Sequence, residues 1–224
     1  MSDKIIKESV LQKGAEACLY FGHWFGKDVI FKHRLPKKYR IEELDQQIRI
    51  ARTLNEARAL IKVKNYGLNV PQVFDIDLHD ATIVMKYIPG KKLKDILYNL
   101  DDQKKIYFFK TLGAYIALLH QNGHVHGDIT TSNLIVTDDE ELFLIDFGLH
   151  EYSDSIEDKS VDLHLLKRVL ISSHGKNFEI CFNAFLDGYQ SSYSKNDMQD
   201  CKSIIKNIAV IETRGRYVKK EERR

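Results

Sequence analysis

Apolar and polar positions divide the chain into a β-rich first part and a helical second part. Short runs that predict strands lie at Lys4–Lys7, Cys18–Phe21, Asp28–Lys32, Pro71–Asp77 and Ala81–Tyr87. Between them, residues 42–64 are rich in Arg, Leu and Ala and predict one long helix. Helices are predicted again at 103–122, 177–193 and 196–207. This pattern favours an α+β fold.

One stretch in the second part places three polar side chains in a chemically useful order. Two apolar runs, Leu134–Val136 and Leu142–Ile145, flank a polar turn and predict a β-hairpin. Asn133 precedes the first strand and Asp146 follows the second, so antiparallel pairing brings them to the same end. Carboxylate and amide oxygens are ligands that suit Mg²⁺. Asp128, on the preceding loop, can face the same point as a base.

This order resembles the catalytic and magnesium loops of protein kinases. His126-Gly127-Asp128 stands where that family has His-Arg-Asp, and Asp146-Phe147-Gly148 matches Asp-Phe-Gly. The resemblance implies ATP and Mg²⁺ as cofactors, with Asp128 as the catalytic base and Asn133 and Asp146 as metal ligands. It also implies a bilobal protein-kinase-like fold, with a small β-rich N-lobe that holds one long helix and a reduced helical C-lobe.

Two other interpretations compete with the kinase-like one. Asp-Phe-Gly alone is common in turns. His124-x-His126-x-Asp128 also resembles the metal-binding run of metallo-β-lactamase-like hydrolases. That run continues with a further histidine, whereas this chain has Ile129.

A lysine and a glutamate in the first part complete the expected catalytic set. Lys32 follows three apolar residues on the third strand, the position from which a kinase lysine binds the α/β phosphates. Glu56 lies on the apolar stripe of the long helix and is the expected partner of Lys32. The alternatives are a solvent-facing edge lysine, and a surface pair of Glu56 with Arg52.

Further nucleotide contacts are expected at two places. The turn containing Gly14, Ala15 and Glu16 has one glycine where kinases have three, and its amides are candidates to cradle phosphate. The break after the fifth strand resembles the kinase hinge, so its residues are candidate adenine contacts. These are Met85, Tyr87 and Ile88, although Lys86 stands where an acidic residue is expected.

The predicted organisation is a single atypical kinase domain, residues 1–224. The N-lobe covers about 1–87, the C-lobe about 91–207, and a basic tail 208–224. His120 is expected to be packed and not catalytic. Asp162 is expected to cap the catalytic-loop backbone, with a surface aspartate as the alternative. The tail is either a solvated terminus or a contact for the phosphates of ATP or RNA.

Composition narrows the function classes only a little. The chain has 224 residues, with 34 Lys+Arg against 32 Asp+Glu, so overall charge gives no argument for nucleic acid. Three scattered cysteines indicate free thiols in a reducing compartment. No apolar run reaches a membrane span and no secretory signal is present. We expect no membrane association and a cytoplasmic location, shared with the nucleus if the source is eukaryotic.

Beyond the kinase core, the chain resembles the small atypical kinase/ATPase subunit of the KEOPS complex, a RIO-like family. The matching stretches are Gln12–Ala17, Pro36–Arg40, Leu44–Ala57, His126–Asn133, Glu157–Leu163 and Arg214–Arg216. The short interval after Gly148, without an activation segment, also fits that family. The resemblance implies ATP hydrolysis that supports threonylcarbamoyladenosine modification of tRNA.

The same resemblance implies partners. The threonylcarbamoyl-transferase subunit is expected on the C-lobe and a small regulatory subunit on the N-lobe, with tRNA reached through the basic tail. Two other functions remain open. One is a free-standing Ser/Thr protein kinase that acts on proteins, and the other is a non-catalytic adaptor.

Overall fold

The computed structural model describes residues 6–216, which form two compact units. The first contains residues 6–90 and 137–148, and the second contains residues 91–136 and 149–216. The predicted lobes also divide near Gly90. The segment Thr137–Gly148, which the prediction placed in the C-lobe, lies here in the first unit. The backbone N–H of Leu144, for example, donates to the Asn69 carbonyl at 3.0 Å.

The first unit is built on a five-stranded antiparallel sheet with the order β1-β2-β3-β5-β4. Its strands are β1 Ile6–Lys13, β2 Ala17–Trp24, β3 Lys27–Arg34, β4 Val73–Asp77 and β5 Thr82–Lys86. Strand β1 is exposed at every position. Successive side chains of the central strand β3 point to opposite faces of the sheet. Val29 and Phe31 therefore share one face, where they are buried against Val84.

One long helix, α1 Glu42–Asn65, packs on this sheet as the sequence predicted. It buries one face that includes Glu56, Leu60 and Val63. Acidic residues occupy its first turn and lysines its last, which suits the helix dipole. Gly67, with φ +94°, follows the helix and donates to the Lys64 carbonyl at 3.0 Å. The first unit also contains the short strand β9, Leu142–Leu144.

The second unit is mostly helical. Its elements are β6 Lys91–Lys92, α2 Leu93–Ile96, α3 Asp102–Gln121, β7 His124–Val125, β8 Leu134–Val136, β10 Glu151–Tyr152, α4 Ile156–His174, α5 Phe178–Ser191 and α6 Met198–Arg216. Asp101 and Ser155 cap α3 and α4 by accepting from Lys104 N and Asp158 N. Cys181 and Cys201 are buried free thiols here, and Cys18 is one in the first unit.

Helices α3 and α5 cross at two glycines. A Cβ at Gly113 would lie 2.1 Å from the Phe185 carbonyl oxygen, and one at Gly188 would lie 2.1 Å from that of Lys110. Real side chains do not approach backbone so closely. The two backbones therefore touch without an intervening side chain.

The predicted tail begins too early. Helix α6 continues past residue 207 to Arg216, so the part 208–216 is helical. Arg214 is also held, because its guanidinium donates to Glu157 at 2.6 Å. Residues 217–224 lie outside the described part of the chain. Within the described part, no helix is both long enough and apolar enough to cross a membrane.

Candidate active site

The predicted catalytic residues fall into two clusters, one in each unit. In the first unit Lys32 lies on central strand β3, opposite Leu19 of β2 and Ile83 of β5. Its Nζ donates to Glu56 Oε1 at 2.5 Å and to Asp146 Oδ1 at 2.9 Å. The predicted pair of Lys32 and Glu56 is therefore present, and Asp146 joins it.

Burial and charge set the state of this cluster. Glu56 is fully buried and Lys32 is 7% exposed, whereas the Asp146 side chain is 41% exposed. Burial by itself lowers the pKa of Lys32, but the Glu56 and Asp146 carboxylates outweigh it and raise that pKa. A permanently charged lysine held beside a half-exposed carboxylate can attract and orient phosphate oxygens. Neither alternative from the sequence holds, since Lys32 is not solvent-facing and Glu56 does not pair with Arg52 at a surface.

A second cation on the same strand was missed by the sequence reasoning. Arg34 donates from Nη2 to Glu56 Oε2 at 2.7 Å and is 3% exposed. Each oxygen of Glu56 thus binds one cation, Lys32 on one side and Arg34 on the other. Strand alternation could have found Arg34, because residues i and i+2 point to the same face.

The turn proposed for phosphate is occupied by its own contacts. The Gly14 N–H donates to the Ala17 carbonyl at 2.9 Å, so this amide closes the turn and does not point to a ligand. The Glu16 carboxylate accepts from Arg52 Nη1 at 2.5 Å. Phosphate contacts at Ala15 and Glu16 stay a prediction.

The candidate adenine contacts follow the end of β5. Met85 and Ile88 are buried, and Tyr87 is partly buried with its ring 5.1 Å from that of Phe21. The Tyr87 N–H donates to the Asp28 carbonyl at 3.1 Å, which ties that amide to the sheet. Adenine binding at Met85, Tyr87 and Ile88 stays a prediction.

In the second unit the catalytic loop brings Asp128 and Asn133 together. A short 3₁₀ turn, Thr131–Asn133, directly precedes β8 and orients the asparagine. Asn133 Nδ2 donates to Asp128 Oδ2 at 2.8 Å and to the Asp128 carbonyl at 3.0 Å. This leaves Asn133 Oδ1 as the atom with the chemistry to bind a hard cation.

Asp162 holds the same loop from helix α4, as the sequence predicted. Its Oδ2 accepts from His126 N and its Oδ1 from Gly127 N, both at 2.8 Å. Burial raises the pKa of Asp162, but hydrogen bonding to His120 and the backbone reverses this and lowers it. His120, also predicted to be packed, is fully buried and contacts Asp162 Oδ2 at 3.2 Å and Tyr189 Oη at 2.8 Å.

The glycine between His126 and Asp128 has a steric cause. Gly127 has φ +79°, a region that side chains rarely adopt, and a Cβ there would lie 2.4 Å from the Leu149 carbonyl oxygen. The arginine that kinases place at this position would not fit. Only residues 149–155 separate Gly148 from helix α4, so a peptide-binding activation segment is missing from this interval.

The side chains available as metal ligands fit magnesium better than they fit the metal-binding run of metallo-β-lactamase-like hydrolases. Asp146 in the first unit and Asn133 in the second each carry an oxygen of the kind that Mg²⁺ prefers, and their role as metal ligands stays a prediction. His124 Nδ1 instead lies 2.7 Å from His150 Nε2, a hydrogen bond between two buried rings. Among residues 6–216 no group of three or more His, Cys, Asp or Glu side chains is arranged to hold a metal.

Comparison with known proteins agrees with this geometry. Residues 29–157 match the RIO domain. The chain is 41% identical over 214 residues to the KEOPS complex subunit Bud32 of Pyrococcus abyssi, covering 93% of this chain and 96% of that protein.

Two longer relatives are named as probable bifunctional tRNA threonylcarbamoyladenosine biosynthesis proteins. The one from Methanosphaera stadtmanae is 39% identical over 213 residues, and the one from Methanocaldococcus jannaschii 41% identical over 214. In both cases 95% of this chain is covered, but it spans only 38% of the relative's length. The chain therefore belongs to the RIO domain family of kinase-like proteins, together with the KEOPS complex subunit Bud32.

Proposed function

We propose that this protein is a Mg²⁺- and ATP-dependent phosphotransferase that acts mainly as an ATPase and supports threonylcarbamoyladenosine modification of tRNA within a KEOPS complex. The observation on which this rests is the buried Lys32 held between Glu56 and Asp146. A cation fixed in this way, in a chain so similar to Bud32, has the chemistry to bind the phosphates of ATP.

Each residue then has a defined role. Lys32 orients the phosphates, and Glu56 fixes Lys32. Asp146 and Asn133 would hold Mg²⁺, which neutralises charge on the transferred phosphoryl group when bound. Asp128, held through its contact with Asn133, accepts the proton of the attacking hydroxyl or water.

Water is the favoured acceptor because the chain between Gly148 and α4 is so short. In ordinary kinases this interval holds the segment that binds a peptide substrate, and here it is residues 149–155. A free-standing Ser/Thr protein kinase is the second candidate. It is favoured by the presence of every residue of the catalytic set.

We also propose the partners that the resemblance to the KEOPS subunit family implies. The transferase subunit of the complex would bind the second unit, and a small regulatory subunit the first. Exposed apolar side chains on the second unit support the first of these contacts, since grouped apolar side chains mark interaction surfaces. They are Leu149, Tyr152, Ile156, Val161 and Leu165.

Following the γ-phosphate of labelled ATP tests the proposal. The protein is assayed with Mg²⁺, alone and with the transferase subunit and tRNA. We expect label in free phosphate, loss of release in Asp146→Asn, and retention in Asp139→Asn, which removes the same charge from an exposed turn of the same unit. Label transferred mainly to serine or threonine without partners would establish the protein kinase instead. If Asp146→Asn supports tRNA modification as well as the wild type does, the chain is a non-catalytic adaptor.

A further inference from the structure

A histidine at the end of helix α4 contacts the catalytic loop. His174 is the last residue of α4, and its Nε2 lies 2.9 Å from the hydroxyl oxygen of Thr131. Both side chains are buried, so the hydrogen bond between them is shielded from water. Thr131 begins the 3₁₀ turn Thr131–Asn133. The contact therefore joins the end of α4 to the turn that carries the predicted magnesium ligand Asn133.

The same helix also holds the other end of the loop. Asp162 accepts from the backbone N–H groups of His126 and Gly127, both at 2.8 Å. Twelve helical positions separate Asp162 from His174, which corresponds to about 18 Å of rigid helix. Helix α4 is thus attached to the loop once before Asp128 and once after it. The predicted base lies between two fixed contacts.

Short hydrogen bonds connect the position of Thr131 to the predicted catalytic groups. The Asn133 N–H donates to the carbonyl of Thr130, the residue before Thr131, at 3.0 Å. Asn133 Nδ2 in turn donates to the Asp128 carboxylate at 2.8 Å and to its carbonyl at 3.0 Å. A shift of Thr131 would therefore move the amide and the carboxylate together. Small departures from the productive geometry of reacting groups cost large factors in rate.

Packing alone is the alternative role for His174. It continues the buried stripe of α4 formed by Leu163, Leu166 and Leu170, at helical spacing. A leucine would suit that stripe better, because burying a polar ring costs free energy unless it is hydrogen-bonded. In the described part of the chain His174 Nδ1 has no hydrogen-bond partner, so the contact with Thr131 is what accounts for a histidine here. Burial also lowers the pKa of His174, which keeps the ring neutral at neutral pH.

We propose that His174 is a positioning residue, which acts on the catalytic loop through Thr131. The inference rests on the proposed ATPase, in which Asp128 is the base and Asn133 a metal ligand. His174 holds these groups in place and takes no part in the chemistry. Its loss therefore lowers the rate of phosphoryl transfer, whereas binding of ATP, which depends on Lys32 in the first unit, is preserved.

Steady-state ATP hydrolysis by variants of the full chain tests this role. Thr131→Val and His174→Leu each remove the hydrogen bond with little change in side-chain volume. Each should lower kcat about tenfold and leave KM for ATP within about twofold of the wild type, as expected for one lost hydrogen bond. Because both remove the same bond, the double variant should lose no more than either single variant. Thr131→Ser and His174→Gln keep a hydroxyl or an amide within reach and should retain most of kcat.

Two control variants remove the same groups elsewhere in the second unit. Thr111→Val removes a hydroxyl that donates to the Tyr107 carbonyl within α3, and His164→Leu removes an imidazole of α4 that lies near Glu212. Both should keep the wild-type kcat. The urea midpoint of every variant separates positioning from stability. If kcat falls in step with stability in the controls as well, His174 only packs the core and the proposal is wrong.

NMR spectra of the Asn133 side-chain amide, recorded without ATP, provide a measurement that does not depend on activity. The proton and nitrogen resonances of this amide should shift in Thr131→Val and in His174→Leu but not in the two controls. Unmoved resonances, or losses of kcat that add in the double variant, would overturn the proposal. Absence of ATP hydrolysis in the wild type would instead refute the proposed function, and the spectra would still decide whether His174 positions the loop.

Discussion

Replacing Asp162 by asparagine should destabilise the second unit strongly. Asp162 is fully buried and accepts from His126 N, Gly127 N and the His120 ring. Asparagine has the same shape but only one acceptor oxygen, so its NH₂ group would face a buried donor. One unsatisfied buried donor costs about 1–3 kcal/mol, and the weaker neutral bond about 1 kcal/mol more, a total of about 2–4 kcal/mol. The lowered pKa of Asp162 also predicts a loss of stability in the asparagine variant, because it means that the folded state favours the charged carboxylate.

Urea unfolding followed by circular dichroism measures this effect. With an m value of about 2–3 kcal/mol/M, the midpoint of Asp162→Asn should fall by about 1 M. Asp95→Asn removes the same charge from an exposed position on α2 of the same unit and should shift the midpoint little. If the two variants unfold within about 0.2 M of each other, the three hydrogen bonds do not have the assigned strength.

Two further predictions concern Gly127 and His120 of the second unit, with Gly67 of the first unit as a comparison for Gly127. Gly127→Ala should lower the free energy of unfolding by more than about 2 kcal/mol, because strain at positive φ adds to a clash with backbone. Gly67→Ala, at φ +94° in open space, should lose only about 1 kcal/mol, and equal losses in urea unfolding would contradict the clash. Stability should also fall as the pH drops below about 6.5, because burial lowers the pKa of His120 and the unfolded chain binds the proton more readily. Urea unfolding at a series of pH values should show a smaller fall in His120→Gln, and identical pH profiles would refute this origin.

The sequence predicted the contacts whose partners are specified by strand and helix patterns. The Lys32–Glu56 pair was predicted from the resemblance to kinases, because a lysine ends an apolar run and a glutamate lies on a helix stripe. The Asp162 cap was likewise predicted by comparison with kinases, from an aspartate between Val161 and Leu163 on the helix that follows the catalytic loop. The boundaries of α1 and α3 agree with prediction to within one residue at each end.

Other features depend on contacts that no local pattern specifies. Asp146 was assigned to the C-lobe because it follows a hairpin there, but its ion pair with Lys32 spans 114 positions of sequence. The closure of the Gly14 turn depends on one backbone hydrogen bond, which composition does not reveal. The end of α6 was detectable, because Ile204, Ile208 and Ile211 continue the helical spacing past residue 207.

The glycine crossing of α3 and α5 bears on how the molecule opens. Because the two backbones touch, one helix cannot loosen by repacking a side chain, and separating them means breaking the whole contact at once. Amide protons near Gly113 and Gly188 should therefore exchange with solvent only when the unit unfolds globally, whereas the exposed strand β1 can open locally. The catalytic loop begins a few residues after α3 and is thus attached to the part of the chain that opens last.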